Sequence, residues 1–161
     1  TIYMLMSELS RFEYKGDKKK TEKNRFGDYF TAGDIGYLND QGFLFLCDRK
    51  IDMIISGGVN IYPAEIENIL ITHPSVADCS VFGIPNDEWG EEVKAAVQLI
   101  PAVQQSSLLH DDILAHCAER LAKMKLPKSI DYMEVLPRDP NGKLYKRKLR
   151  DPYWAGRDRQ V

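Results

Sequence analysis

The sequence predicts an α/β (α+β) fold: a small domain with a short mixed sheet flanked by helices, preceded by β-hairpin strands. Three observations predict it. Short β-branched runs alternate with two stretches of helical period after residue 50. Turn chemistry joins apolar runs before residue 48, with no helical period there. The 161 residues suffice for one ordinary domain, or one small domain with part of another.

Residues 2–6 and 12–14 read as short strands, and the Lys-rich stretch 15–25 as a polar loop with Gly16 as its turn signal. Tyr29-Phe30-Thr31 and Gly36-Tyr37-Leu38 flank Ala32-Gly33-Asp34. Asn39-Asp40-Gln41-Gly42 turns the chain into Phe43-Leu44-Phe45-Leu46-Cys47, which makes a hairpin. The pattern changes at Asp48-Arg49-Lys50. Met53-Ile54-Ile55, a Ser56-Gly57-Gly58 turn and Val59-Asn60-Ile61 form two further strands. Pro63 suits the first turn of a helix, Ile66, Ile69 and Leu70 follow at helical spacing, and Pro74 stops the run. Val76 to Phe82 reads as a strand closed by Gly83-Ile84-Pro85-Asn86. Val93, Ala95, Val97 and Leu99 alternate as in a half-buried strand. Leu109, Ile113, Cys117 and Leu121 lie four apart on an amphipathic helix of about four turns. Ile130 to Leu136 is the last strand. Pro137 to Asn141 is a turn, and a short basic segment follows. Residues 51–161 thus read β-β-α-β-β-α-β, large enough for a core of their own. Residues 1–47 are too short for a domain and need strands from elsewhere. TIYMLM opens in mid-pattern, which leads us to expect an internal boundary of a longer protein.

Hydrophobic residues make up 43% and charged residues 29%, which excludes wholesale disorder. No apolar run approaches the ~20 residues that span a bilayer. Cys47, Cys79 and Cys117 are odd in number and far apart, so they fit a reduced cytoplasmic chain and make neither a disulfide framework nor a zinc spacing. The net charge of −2 hides an uneven distribution. From Arg138 onward eight basic residues face three acidic ones, and residues 1–25 hold seven against four. The basic tail beside an acidic body points either to an anionic ligand or to a solvated face. Its few aromatics, Tyr145, Tyr153 and Trp154, are not interleaved as nucleic-acid binding would require, so no nucleic-acid partner is expected.

No phosphate-binding Walker loop, dinucleotide glycine pattern, HExxH or nucleophile elbow is present. His73, His110 and His116 have no metal-ligand company, and the latter two read as solvated or capping. Three places carry chemistry. Asp34 sits in a Gly-flanked turn, where a carboxylate either accepts two hydrogen bonds from a vicinal diol or satisfies its own backbone. Ser56-Gly57-Gly58 lets the backbone approach a ligand closely or is an ordinary hairpin turn. Lys143 follows Asp139-Pro140-Asn141-Gly142 at a turn tip, where it can meet a phosphate or carboxylate as a mobile point charge, or be a solvated tail lysine.

Together and in order, YFTAGDIGYLNDQGFLFLCDRK, IDMIISGGVNIYPAEIE, VADCSVFGIPNDEWGEEVKAAV and LPRDPNGKLYKRKLR resemble the adenylate-forming (AMP-binding) superfamily of acyl-CoA synthetases, luciferases and nonribosomal adenylation domains. The resemblance covers about residues 1–150. It implies the C-terminal part of such an enzyme. Residues 1–47 would close the β-barrel subdomain of a large N-terminal domain, 48–50 would be the hinge, and 51–161 the mobile C-terminal domain. It further implies formation of an acyl-adenylate from a carboxylic acid and ATP, then displacement of AMP by CoA. Asp34 and Arg49 match the residues that hold the ribose, Asp48 the hinge, and Lys143 the lysine of the adenylation step. The Gly57-Gly58 turn matches the wall of the pantetheine tunnel. Trp89, Arg138 and the basic residues 146–150 are candidates to meet the CoA nucleotide. Mg2+ is implied only through ATP, with no ligand in this chain. A fatty acid is the expected substrate and an aryl or other carboxylic acid the alternative. The fragment alone is expected to be inactive. A free-standing nucleotide- or CoA-binding module is the competing reading.

Two positions depart from the family pattern. Ala32-Gly33-Asp34 stands where Thr-Gly-Asp is usual. Ile51 stands directly before Asp52, where a lysine is usual, with Lys50 one place earlier; a one-residue shift in a strand turns a side chain to the other face.

Overall fold

The computed structural model describes residues 1–6 and 13–157. The chain divides into two compact units between Ile51 and Asp52.

The first unit holds β1 (Met4–Leu5), α1 (Lys18–Lys23), β2 (Arg25–Phe26), β3 (Tyr29–Phe30), β4 (Asp34–Leu38) and β5 (Leu44–Arg49). The order β1-β3-β2 makes a three-stranded antiparallel sheet, and β4-β5 a separate hairpin. The strand expected over 2–6 shortens to two residues. Of the one expected over 12–14, Phe12 lies outside the described residues and Glu13-Tyr14 are not in a strand.

The expected polar loop 15–25 contains α1. Asp17 caps it by accepting the Lys20 N–H at 2.9 Å. Thr21 is buried on it, donating to the Asp17 carbonyl and accepting from the Tyr14 N–H. A six-residue helix shows no hydrophobic period, so only the Asp17 cap and the helix-favouring lysines could have announced it. The β4–β5 hairpin turns at Asn39, whose side-chain oxygen accepts the Gln41 and Phe43 N–H groups. Tyr37 and Phe45 stack across it at 5.3 Å between ring centroids, while Phe43, Leu44 and Leu46 stay exposed.

The second unit holds β6 (Ile54–Ser56), β7 (Val59–Ile61), α2 (Pro63–Leu70), β8 (Val76–Asn86), β9 (Gly90–Leu99), α3 (Ser107–Ala118), β10 (Ser129–Tyr132) and α4 (Lys146–Arg150). The sheet order is β10-β9-β6-β7, with β8 on the other edge of β9. Only β9 and β10 run parallel. Three expected boundaries shift. β8 runs on through Gly83-Ile84-Pro85-Asn86 instead of turning there. Its edge position tolerates the missing N–H of Pro85. α3 ends at Ala118, so Leu121 is buried beyond the helix rather than on it. β10 stops at Tyr132, and Leu136 folds onto a second core.

Two cores sandwich the sheet. Ile54, Ile61, Val81, Val93, Ala95 and Val97 pack with Ile66 and Leu70 of α2 and Ile113 and Cys117 of α3. On the other face Phe82 and Ala96 pack with Leu136 and Leu149. β9 is therefore covered on both faces rather than half-buried. Even Lys94 is buried, held by Asp131 at 2.8 Å and Ser129 Oγ at 3.1 Å, with its ammonium 5.0 Å from the centre of the Tyr153 ring. The outer edge of β8 is closed by side chains: Glu67 accepts the Val81 N–H at 2.7 Å, and the Trp154 indole donates to the Gly83 carbonyl at 2.9 Å.

Candidate functional site: a clamped lysine turn, a diglycine turn and an Asp–Arg pair

Lys143 stands at the tip of a small hairpin whose arms meet at the Arg138–Leu144 bridge. Asp139 holds the turn from inside. One carboxylate oxygen, Oδ1, accepts the N–H groups of Asn141 and Lys143, each at 2.9 Å. The Asp139 N–H donates to the Lys143 carbonyl at 2.8 Å. Gly142 takes φ +82°, which closes the turn at little cost for glycine. The backbone of Lys143 is thus tied on both sides, while its side chain is exposed with no partner among the described residues. An ammonium presented in this way can meet an incoming anion or stay solvated.

The basic residues expected beside it are mostly engaged. Lys146 pairs with Glu67 at 2.8 Å, buried Arg150 lies 3.7 Å from Asp52, and Arg147 lies 3.5 Å from Asp151. Arg138 donates to the Gly142 carbonyl at 2.7 Å and pairs with Asp78. These contacts make the tail part of the domain rather than a free basic arm.

Gly57 and Gly58 form the two-residue turn between β6 and β7, both at positive φ (+56° and +78°), as a type I′ hairpin requires. The Gly57 N–H donates to the Trp89 carbonyl at 2.8 Å. A Cβ on Gly57 would sit 2.5 Å from the Trp89 ring, so Gly57 is needed for contact as well as for conformation. A Cβ on Gly58 would meet nothing, so that residue faces open space. Trp89 is half exposed, and its backbone is set by Asn86, whose Oδ1 accepts the Glu88 and Trp89 N–H groups. Beside it lies a pocket of about 330 Å³ whose lining includes Ile55, Pro85, Glu91, Trp154 and Arg157, the last paired to Asp87.

In the first unit, Asp34 opens β4 directly opposite Arg49 of β5, and Arg49 Nε lies 3.5 Å from Asp34 Oδ1. The expected turn aspartate is therefore a strand residue, with the turn ahead of it: Thr31 Oγ accepts the Gly33 N–H, and the Gly33 carbonyl accepts the Lys50 N–H at 2.7 Å. Asp48 accepts the Arg49 N–H at 2.7 Å. Lys50–Asp52 form a 3-10 turn, not a strand, so the one-residue displacement at Ile51 does not follow the face-switching rule of a pleated sheet. Ile51 is exposed.

Sequence reasoning missed Glu67 and Asp78, which lie 79 and 60 residues from their cationic partners Lys146 and Arg138. No local pattern announces pairs that distant. Asp139 was legible as a turn former, though not as the clamp on Lys143. His73 is buried, with Nε2 3.1 Å from Asp112, and His116 pairs with Thr72 at 2.9 Å; both tie α3 to the end of α2. Among the described residues no group of three or more His, Cys, Asp or Glu could hold a metal. Burial, then the neighbouring charges of Glu67 and Asp78, push the Cys79 thiol up to about 12, and burial raises Cys117. Neither is a thiolate at neutral pH. No helix among the described residues is long and apolar enough to cross a membrane.

Residues 65–143 match the family model of the AMP-binding enzyme C-terminal domain. The chain belongs to that family. It is 40% identical over 152 residues to the long-chain-fatty-acid–CoA ligase FadD13 of Mycobacterium tuberculosis, covering 94% of this chain and 29% of the relative. It is 47% identical over 122 residues to a 2-succinylbenzoate–CoA ligase of Bacillus cereus, covering 76% of this chain and 24% of the relative. Among solved structures it is similar to the o-succinylbenzoate CoA synthetase MenE from Bacillus subtilis in complex with the acyl-adenylate OSB-AMP, at TM-score 0.75 and 36% identity over 91% of this chain and 28% of that one. It is also similar to an ATP-bound RpMatB-BxBclM chimera, at TM-score 0.79 and 34% identity over 86% of this chain and 28% of that one. The chain thus spans less than a third of the length of these relatives.

Proposed function

We propose that this chain is the C-terminal part of a cytoplasmic, AMP-forming CoA ligase, and that Lys143 is the cation of its adenylation step. The observation that carries this reading is the Lys143 turn: both backbone groups of the lysine are fixed, and its ammonium has no partner among the described residues. A carboxylic acid attacking the α-phosphate of ATP brings two anions together, and pyrophosphate leaves with further charge. A fixed cation between carboxylate and α-phosphate offsets that repulsion in the transition state. Asp34 and Arg49 hold the ribose in this reading. Their contact is loose and half exposed, so it costs well under about 1 kcal/mol to exchange for a diol.

In the second step a thiol must approach the acyl carbon, and the same ammonium has no work there. Residues 48–50 serve as the hinge that withdraws Lys143 and brings the Gly57-Gly58 turn to the site. The open side of Gly58 suits the narrow pantetheine arm, and the exposed face of Trp89 suits the CoA nucleotide. CoA supplies the thiol; this chain supplies only the wall along which it lies. Mg2+ comes with the phosphates of ATP, and no residue here is assigned to it.

The substrate we favour is a fatty acid, supported by the longer match to a fatty-acid ligase; an aryl acid is the second choice, supported by the higher identity to the succinylbenzoate ligase. Exchange of labelled pyrophosphate into ATP with a panel of fatty and aryl acids tests both class and substrate. In the full-length protein, Lys143→Ala lowers this exchange by about 10²–10³ and leaves thioester formation from supplied acyl-adenylate nearly intact. Equal loss in both half-reactions removes the role given to Lys143.

A further inference from the structure

We propose that Arg138 is a positioning residue for Lys143 and not a contact for CoA; this rests on the adenylation role given to Lys143 above. Arg138 pairs across the hairpin with Leu144, so its side chain lies beside the turn that presents the lysine. One guanidinium nitrogen, Nη1, donates to the carbonyl of Gly142, the residue directly before Lys143. The other, Nη2, pairs with Oδ2 of Asp78 on β8. That carboxylate is itself oriented, because its Oδ1 accepts the Cys79 N–H at 2.9 Å. A chain of contacts therefore runs from the backbone of the central sheet, through Asp78 and Arg138, to the peptide that sets the direction of Lys143. Lys146–Glu67 anchors the other arm three residues later, and Glu67 is likewise fixed by the backbone of β8 through Val81.

The arrangement has a physical purpose. A lysine side chain is long and flexible, and a turn standing out from a domain would let its base wander as well. Displacing a reacting group by about 1 Å can cost about 10²-fold in rate. A planar guanidinium holds two partners in one geometry, which a single ammonium does not. Two of the five guanidinium N–H donors of Arg138 are engaged in this way, so Gly142 and Asp78 fix the orientation of the group.

The test uses the full-length protein, with lauric or benzoic acid as the probe, whichever supports pyrophosphate exchange. Arg138→Met is expected to lower the rate of exchange about tenfold, with the KM values for ATP and acid unchanged. Thioester formation from supplied acyl-adenylate, the KM for CoA and the melting temperature should stay as in the parent. Asp78→Asn should lower exchange in the same way, and the double variant should be no slower than Arg138→Met, because the two act as one unit. A raised KM for CoA with exchange intact, equal loss in both half-reactions, or additive effects overturns the proposal. If Arg138→Met does not fold, Asp78→Asn alone decides by the same split. Lys143→Ala is run beside them: exchange unaffected by that variant defeats the underlying role of Lys143, whereas its loss beside unimpaired Arg138 and Asp78 variants defeats only the positioning.

Discussion

At Gly57 and Gly58 two neighbouring glycines share a conformation but not an environment. Both have positive φ, so alanine strains either one, by about 1–2 kcal/mol. Only at Gly57 does the added carbon also run into the Trp89 ring. Urea unfolding should therefore show Gly57→Ala losing more stability than Gly58→Ala, by at least about 1 kcal/mol; equal losses would mean that the Trp89 ring simply swings aside. Cys79 gives a prediction in pH. Its thiol is raised to about 12, so the folded state keeps a proton that the unfolded chain releases above the ordinary thiol value of 9.0. Its contribution is fully present below pH 9 and declines as pH rises from 9 toward 12, with a slope of about 1.4 kcal/mol per pH unit. Cys79→Ala should flatten that decline, measured by denaturation between pH 8 and 10.5. The side chains with chemical character, Asp34, Arg49 and Lys143, were legible in the sequence because turn formers flank them or ordered motifs contain them. The long-range pairs Arg138–Asp78 and Lys146–Glu67 were not, because their carboxylates are ordinary strand and helix residues until folding brings the cations to them.

Among the elements, those with a strong period or a tight turn were readable. The β6–β7 hairpin follows from Gly57-Gly58, α2 from Pro63 and the spacing of Ile66 and Leu70, and β9 from its alternation. The alternation nevertheless misled about burial. A second layer, made of Leu136, Leu149 and the 3-10 turn Asp151–Trp154, covers the other face of β9, and an isolated strand pattern does not reveal what packs on it. α1 was unreadable because its stability rests on one cap and one buried threonine. Asp17→Ala should cost about 1 kcal/mol, seen as faster amide exchange over residues 18–23; unchanged exchange would mean that Thr21 alone holds the helix. Leu149→Ala should cost about 2–5 kcal/mol, since it empties part of a four-residue core. A loss under about 1 kcal/mol would show that the second layer contributes little.

On the scale of the whole molecule, each unit has its own character. The second unit has two cores, its outer strand edge is closed by Glu67 and Trp154, and its basic tail is tied down by ion pairs. The first has short strands and a hairpin whose Phe43, Leu44 and Leu46 are exposed. The change of pattern at residues 48–50 was visible in the sequence, because alternating strands and helices begin there. In the proposed reading, Asp34 and Arg49 of the first unit meet the nucleotide, Lys143 of the second meets the reacting anions, and the phosphate loop is supplied from outside these residues. The most direct test is pyrophosphate exchange by this chain alone and by the same chain extended upstream to the length of its relatives, over the fatty and aryl acid panel. Exchange only in the extended protein, lost on Lys143→Ala, is the predicted result. Exchange by the 161 residues alone, or none by either form, would contradict it.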